Sequence, residues 1–249
     1  DFYVTGYTCT RIVSFTVIFT SSFKLAIIAT LVFLLIGYPL SYAMDKEGKS
    51  FQRVAMLLIM LPMWVNFLLR TYSMMSIMEN NGLINQFFAA IGLFDLINNL
   101  FGTDIHYFKM IGTQGAVVVG MVYNYLPFMV LPIYSTLIKM DNTLLEAAQD
   151  LGADTATVFR KVILPLSLPG ILSGVTMVFV PSVSTFAISR LLGGGIQMLL
   201  GDLIEQQFLG GAYNPHLGSA IALVMMVIVV ACMWIMNRFG EGEEQAVML

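Results

Sequence analysis

The sequence predicts an all-α protein, a polytopic bundle of membrane-spanning helices, and three observations lead there. Of its 249 residues, 58% are hydrophobic and only 11% charged, with a mean hydropathy of +0.83. A soluble domain runs near half apolar and about a quarter charged, because much of its surface must face water. The apolar residues also gather in five runs, each close to the roughly 20 residues that a helix needs to cross a hydrocarbon core of about 30 Å. None of the runs alternates with the period of two that marks a half-buried strand, and a helix satisfies its own backbone, as lipid demands. A net charge of −3 on so apolar a chain excludes a disordered protein and a nucleic-acid-binding domain.

The first run, 23–43, is followed by the polar segment DKEGKSFQR. The second, 54–78, reads as one span interrupted by Pro62, Asn66 and Arg70. Residues 79–111 are rich in Asn and Gly, and the third run, 115–138, carries Pro127 and Pro132 near its end. Residues 139–165 are polar and helical in pattern; the fourth run, 166–189, is interrupted at Pro181. Residues 190–217 contain Gly193-Gly194-Gly195 and Gly210-Gly211. The fifth run, 218–236, precedes an acidic tail with Glu241, Glu243 and Glu244. Basic residues concentrate on cytoplasmic loops, and the short loop 44–53 carries Lys46, Lys49 and Arg53. That places 44–53, 139–165 and the tail inside, and 79–111 and 190–217 outside. The expected organisation is an external N-terminal segment over 1–22, a transmembrane domain over 23–237 and a cytoplasmic tail over 238–249. Asp1 rather than Met opens the chain, and the reading is of a fragment whose first span is missing.

Little of this sequence suggests chemistry. Cys9 and Cys232 are too few for a disulfide framework and fall near opposite faces. Gly48-Lys49-Ser50 looks like the end of a phosphate-binding loop, but Ala43 stands where that loop needs glycine, and a membrane helix precedes it. Any ATP chemistry therefore belongs to another chain. His106 and His216 have no partners at metal-ligand spacing, so no catalytic residue, metal or cofactor is expected. Gly112, Ala116 and Gly120, and likewise Gly170 and Gly174, recur at four-residue spacing, which lets helices approach closely; the seam lies within one bundle or forms a dimer contact. Arg70 is costly in a span, at ~2.5–3.5 kcal/mol near the centre. It is a gate or path residue, or else it snorkels or pairs with a carboxylate. Asn66 and Asn124 are expected to face the bundle interior, making interhelical hydrogen bonds or lining a path.

The most informative stretch is DNTLLEAAQDLGADTATVFRKVILPLSLPG, residues 141–170. Thr143 and Glu146 have the spacing of a capping box. Leu144, Ala147, Ala148 and Leu151 share one helix face. Gly152 can take the left-handed conformation that ends a helix, and Asp154 or Thr155 can cap a second short helix. Val158, Val162 and Pro165 lead into the fourth run. Two short helices joined by an elbow, too polar to span, belong at the membrane surface. By its residues alone this is an ordinary interfacial hairpin.

The same stretch resembles the E-A-A-x3-G-x9-I-x-L-P motif of the permease subunits of binding-protein-dependent ABC importers. Here it reads Glu146-Ala147-Ala148, Gly152, then Val162, Leu164 and Pro165, with Val for Ile at 162 the one departure. Met60-Leu61-Pro62-Met63-Trp64-Val65-Asn66-Phe67-Leu68-Leu69-Arg70-Thr71-Tyr72 is similar to the second-run motif of the spermidine/putrescine members of that family. So are Tyr123-Asn124-Tyr125-Leu126-Pro127-Phe128-Met129, Pro132-Ile133-Tyr134 and the stretch from Pro181 to Gly194. The resemblance implies a type I ABC importer transmembrane fold, usually of six spans. It implies a subunit that is no enzyme, forming half of a path for polyamines in a prokaryotic cell membrane. Its partners would be ATPase subunits, a second permease, an external substrate-binding protein, the lipid bilayer and the polyamine. In such a subunit Glu146, Ala147, Ala148, Leu151, Gly152, Val162, Leu164 and Pro165 would form the coupling loop that meets the ATPase. Pro62, Trp64, Asn66, Arg70, Tyr123, Asn124, Pro181 and Ser182 are candidates for the path or its gate.

The cargo rests on that resemblance. Residues expected outside include the carboxylates Glu79, Asp95, Asp104, Asp202 and Glu205, but basic residues largely cancel them. Arg190 stands where relatives often carry an acid. The alternatives are the same machinery with an inorganic anion, iron or an amino acid as cargo, or an ATP-independent secondary transporter or channel.

Overall fold

The computed structural model describes residues 2–94, 96, 98, 106–195, 198–210 and 213–247, with side chains between residues 16 and 234. Asp95, Asp104 and Gly211 lie outside the described residues, as do the side chains of Cys9 and of the acidic tail. Among the described residues there is no strand, and the expected all-helical architecture holds. Four helices are long and apolar enough to cross a membrane, or five if one bent pair counts as a span.

The first helix, α1 (Phe2–Lys46), extends well upstream of the apolar run. Its hydroxyl residues suit a helix because they bond back along it: Thr20 Oγ1 donates to the Thr16 carbonyl at 2.8 Å, and Ser22 Oγ to the Ile18 carbonyl at 2.9 Å. The second run departs from expectation. It is not a continuous helix but α2 (Lys49–Met60), a 3-10 turn over Leu61–Trp64 and α3 (Phe67–Met78), a pair bent by 96° at the break that is a broken span or a re-entrant loop. Pro62 has no N–H to continue the ladder. Asn66 accepts the Leu68 N–H at 2.9 Å and caps α3. Asn66 is therefore an exposed cap and does not face a bundle interior.

A short helix, α4 (Leu83–Ala90), follows, and then α5 (Gln114–Leu137), which keeps Pro127 and Pro132 inside it. Next come α6 (Asn142–Asp150), α7 (Thr155–Val158), a π-helical turn over Phe159–Ile163 and α8 (Leu164–Ser184). Pro181 does not interrupt this span as expected. A spanning helix tolerates proline where neighbouring groups satisfy the freed carbonyl, and the break falls after Ser184. There Gly201 sits so close that a Cβ on it would lie 2.5 Å from the Ser184 carbonyl oxygen and 2.7 Å from that of Thr185. The remaining elements are α9 (Ala187–Leu192), α10 (Leu200–Leu209) and α11 (Pro215–Val247).

Contacts divide the chain into two compact units, one of 1–29, 62–124 and 182–220, the other of 30–61, 125–181 and 221–249. In the first, Val117, Met121, Ile188, Leu192, Leu199 and Leu200 are buried. A Cβ on Gly120 would overlap Leu192 Cδ1 and meet Ile188 Cγ2 at 2.9 Å, so α5 and α9 touch there. In the second, Phe33, Met44, Met129, Val130 and Ile133 are buried. Gly170 and Gly174 lie against Thr136 and Met129 of α5. Of the two readings of the small residues, the seam within one bundle is the observed one. Gly112 is not part of its helical repeat: it precedes α5 with φ +85° and donates its N–H to the Leu192 carbonyl at 2.8 Å.

Candidate functional site

Two constellations stand out. The first is the elbow formed by α6 and α7. Its N-cap is Asp141, whose Oδ1 accepts the Thr143 N–H at 2.9 Å. The expected Thr143–Glu146 capping box does not form. With an aspartate two residues ahead of Thr143, the acceptor nearest the free amides is the carboxylate. Glu146 is exposed and spared from capping. The other end is as expected. Gly152 has φ +82°, Ala153 N–H bonds the Ala148 carbonyl and Gly152 N–H the Gln149 carbonyl. That is a Schellman ending, which favours glycine at this position. Asp154 caps α7, accepting from the Thr157 N–H at 3.3 Å. Hydrogen bonds from Thr143 hold the Asp141 carboxyl below its ordinary value, and those from Thr157 do the same for Asp154.

The side chains of α6 divide cleanly. Leu145 lines a cavity of about 370 Å³ with Tyr42, Lys49, Leu137 and Ile163. Leu144, Ala147 and Leu151 stay exposed, Leu151 at 90%, and Ala148 is half-buried. The second arm is not a separate helix as expected but runs into α8 through the π turn, where Leu164 N–H reaches back to the Phe159 carbonyl. Pro165 explains the wide turn: in an unbroken α-helix its ring would press on the carbonyl four residues earlier, and it offers no N–H there. Val162 and Leu164 are half-buried, and Pro165 is exposed.

The second constellation surrounds Arg70, which is only 7% exposed. Its Nε donates to Asn124 Oδ1 at 2.7 Å, its Nη1 to the Pro62 carbonyl at 2.9 Å and its Nη2 to the Asn124 carbonyl at 3.5 Å. Asn124 Nδ2 donates to Thr71 Oγ1 at 3.3 Å and to the Gly120 carbonyl at 2.9 Å. The guanidinium lies 5.9 Å from the centre of the Tyr123 ring. Arg70 neither snorkels nor pairs with a carboxylate among the described residues. Its hydrogen bonds tie the 3-10 turn to α3 and α5, at the break in the second run. Thr71 and Gly120 belong to this network too, although the small-residue repeat that marks Gly120 signals close packing and not a hydrogen bond to Asn124. Trp64 projects from the turn at 83% exposure, and Tyr123 is partly exposed. Pro181 is half-buried and Ser182 fully buried.

Two of the carboxylates expected outside, Asp202 and Glu205, are committed. Asp202 is buried, accepting from Ser189 Oγ at 2.6 Å and from Leu199 N–H at 2.9 Å, which caps α10. Burial pushes its carboxyl above the ordinary value, against the lowering by Ser189. Glu205 pairs with Arg190 at 2.6 Å. No group of three or more potential metal ligands occurs among the described residues.

Residues 8–241 match the family described as binding-protein-dependent transport system inner membrane component. The chain belongs to that family. Among the permease's relatives, the spermidine/putrescine transport system permease protein PotB of Haemophilus influenzae is 36% identical over 221 residues, which are 89% of this chain and 73% of that protein. PotB of Escherichia coli (strain K12) is 36% identical over 84% of this chain and 72% of that one. A solved bacterial ABC transporter involved in the import of the acidic polysaccharide alginate shares the fold, with a TM-score of 0.68 at 15% identity, covering 89% of this chain and 78% of that one. The MetNI methionine ABC transporter in an inward-facing conformation gives 0.59 at 18% identity, covering 93% and 95%. The permease is thus a non-catalytic, multi-pass subunit of an ABC importer in a bacterial inner membrane.

Proposed function

We propose that this permease forms half of a path for spermidine and putrescine, delivered by an external binding protein, and that ATPase subunits drive it through the elbow over 142–165. One observation carries the mechanism: the apolar face of α6 is left uncovered while Asp141, Gly152 and Asp154 shape the elbow from within. Exposed Leu144, Ala147 and Leu151, beside Glu146 and half-buried Ala148, form a ridge suited to a groove on an ATPase. Gly152 sets the angle between the arms. Val162, Leu164 and Pro165 pass a displacement into α8, because the second arm is continuous with that span. The polyamine cargo rests on the 36% identity to PotB proteins. Exposed aromatic faces at Trp64 and Tyr123 are surfaces on which ammonium groups can rest. Arg70, Asn124, Pro62 and the cap Asn66 hold the bent turn that carries Trp64 and so act as the frame of a gate.

The test is uptake of radiolabelled spermidine by liposomes containing the whole transporter, with the binding protein outside and ATP inside. The expected result is uptake that needs ATP and survives collapse of a proton gradient. ATP-dependent uptake of an inorganic anion, iron or an amino acid but not spermidine would remove the cargo while leaving the importer. Uptake driven by a proton gradient after inactivation of the ATPase would overturn the mechanism.

A further inference from the structure

An apolar groove in the second unit has no part in the reading above. It encloses about 570 Å³ and is lined by Leu31, Leu35, Tyr38, Pro39, Phe159 and Ile171 among others. Leu31 and Leu35 are open to the surroundings, Leu35 at 76%. The lining offers a ligand almost nothing polar, because the Tyr38 hydroxyl and Ser167 Oγ are bonded to each other at 3.0 Å and Ser167 also donates to the Leu164 carbonyl. Such a wall suits hydrocarbon.

One end of the groove is different. Leu31, Leu35, Tyr38, Tyr42 and Lys46 follow one another at four- and three-residue steps, a single stripe along α1. The Lys46 ammonium lies 5.5 Å from the centre of the Tyr42 ring. Tyr42 in turn meets the Phe159 ring edge-on at 5.4 Å, and Phe159 meets Tyr38 at 5.9 Å. Arg160 and Lys161, next to Phe159 in the π turn, are exposed, and no ion pair holds any of these three cations among the described residues. Asp45 and Glu47 flank Lys46 in sequence, and Lys46 lines, together with Tyr42 and Asp45, the neighbouring cavity and not the groove itself. An apolar trough whose lining residue Phe159 precedes two exposed cations in sequence and touches the Tyr42 ring beside Lys46 is complementary to an amphiphile with an anionic head.

We propose that this groove holds an acyl chain of an anionic phospholipid, with its phosphate between Lys46 and Arg160. The aromatic rings of Tyr42 and Phe159 sit at the level between tail and head, where such rings favour the membrane interface. The site lies on the permease whatever its cargo.

The experiment uses the assembled transporter, delipidated in mild detergent and titrated with dioleoyl phosphatidylglycerol or dioleoyl phosphatidylcholine, with bound lipid counted by native mass spectrometry. We expect one tightly held phosphatidylglycerol per copy of this chain. Attraction of roughly five-fold per cation near a membrane surface predicts a preference over phosphatidylcholine of about 30-fold for two cations. Lys46→Gln with Arg160→Gln should reduce phosphatidylglycerol binding to the phosphatidylcholine level. Ile171→Trp, which fills the groove and keeps both cations, should reduce binding of both lipids. Equal binding of the two lipids by the unaltered transporter, or unchanged preference in the double variant, would overturn the proposal. So would cross-linking of Leu35→Cys to the second permease in place of lipid, because a protein segment would then cover the groove.

Discussion

The elbow and the Arg70 cluster use polar side chains in opposite ways. At the elbow, Asp141 and Asp154 each bond an amide two or three residues on, so its shape is set by neighbours in sequence and its apolar ridge is left free. Around Arg70, the partners include the Pro62 carbonyl eight residues back and both oxygens of Asn124, 54 residues away and buried, so the polar atoms consume one another and leave Trp64 and Tyr123 to face outward. A local scaffold can move as one piece without loss of its bonds. A cross-linked one resists movement until several bonds yield together. The first suits a lever, the second a frame.

That contrast can be broken most severely at Arg70. Arg70→Met leaves Asn124 Oδ1 without its donor, while the Pro62 carbonyl keeps the Val65 N–H at 3.2 Å; at about 1–3 kcal/mol per orphaned buried group the loss is roughly 1–3 kcal/mol. Thermal unfolding of the assembled complex should register it, with Arg70→Met and Asn124→Ala non-additive as contacting pairs are. A wild-type unfolding midpoint with transport abolished would make Arg70 a contact for cargo instead of a part of the frame.

At the elbow a smaller effect is expected, and of a different kind. Gly152→Val forces a side chain into the left-handed region, at roughly 1–2 kcal/mol. A Cβ there meets nothing within 4 Å, so the cost is in the backbone alone. The protein should insert normally yet lose the ATPase in a detergent pull-down, whereas Gly152→Asn, which tolerates this conformation, should keep most of it. Full retention in the valine variant would remove the elbow from the transmission path.

Smallest is the cap. Asp141→Ala should weaken α6 by removal of its cap, and Thr143→Ala should leave it unchanged, which hydrogen exchange of the α6 amides can distinguish. The carboxyls of Asp141 and Asp154 are held low in the folded chain. Their stabilisation is therefore full above the ordinary carboxylate value and is lost as pH falls through the lowered ones. Equal protection of α6 in both variants would show that the cap does not matter.

These same differences explain what could be read in advance. The spans, Gly152 and the α7 cap were legible because periodicity, a glycine between two helical patterns and an aspartate before a helix are all local. The Asp141 cap was missed because the T-x-x-E spacing pointed to Thr143, although an aspartate two residues earlier can accept the same amides. The break at 65–66 was masked by hydrophobicity: Pro62 and Asn66 sit in an apolar run that composition reads as one span. Arg70 was marked by its cost in lipid, but its partners were not. Asn124 lies on a helix 54 positions away, and the Pro62 carbonyl has no side chain to announce it.

The π turn at Phe159–Ile163 also fixes a rotational phase. It places five residues where an α-helix would use about four, so everything before it is turned by close to one residue, about 100° at 3.6 residues per turn. Deleting one residue from this turn would restore the regular spiral and swing Thr155–Val158, with Gly152 and α6 behind them, around the axis of the span by that angle. The ridge of Leu144, Ala147 and Leu151 would keep its own structure yet point a quarter-turn or more away from its present heading. The aim of the elbow is thus counted out in residues along the span, and an error of a single residue misdirects it as completely as the loss of the elbow itself.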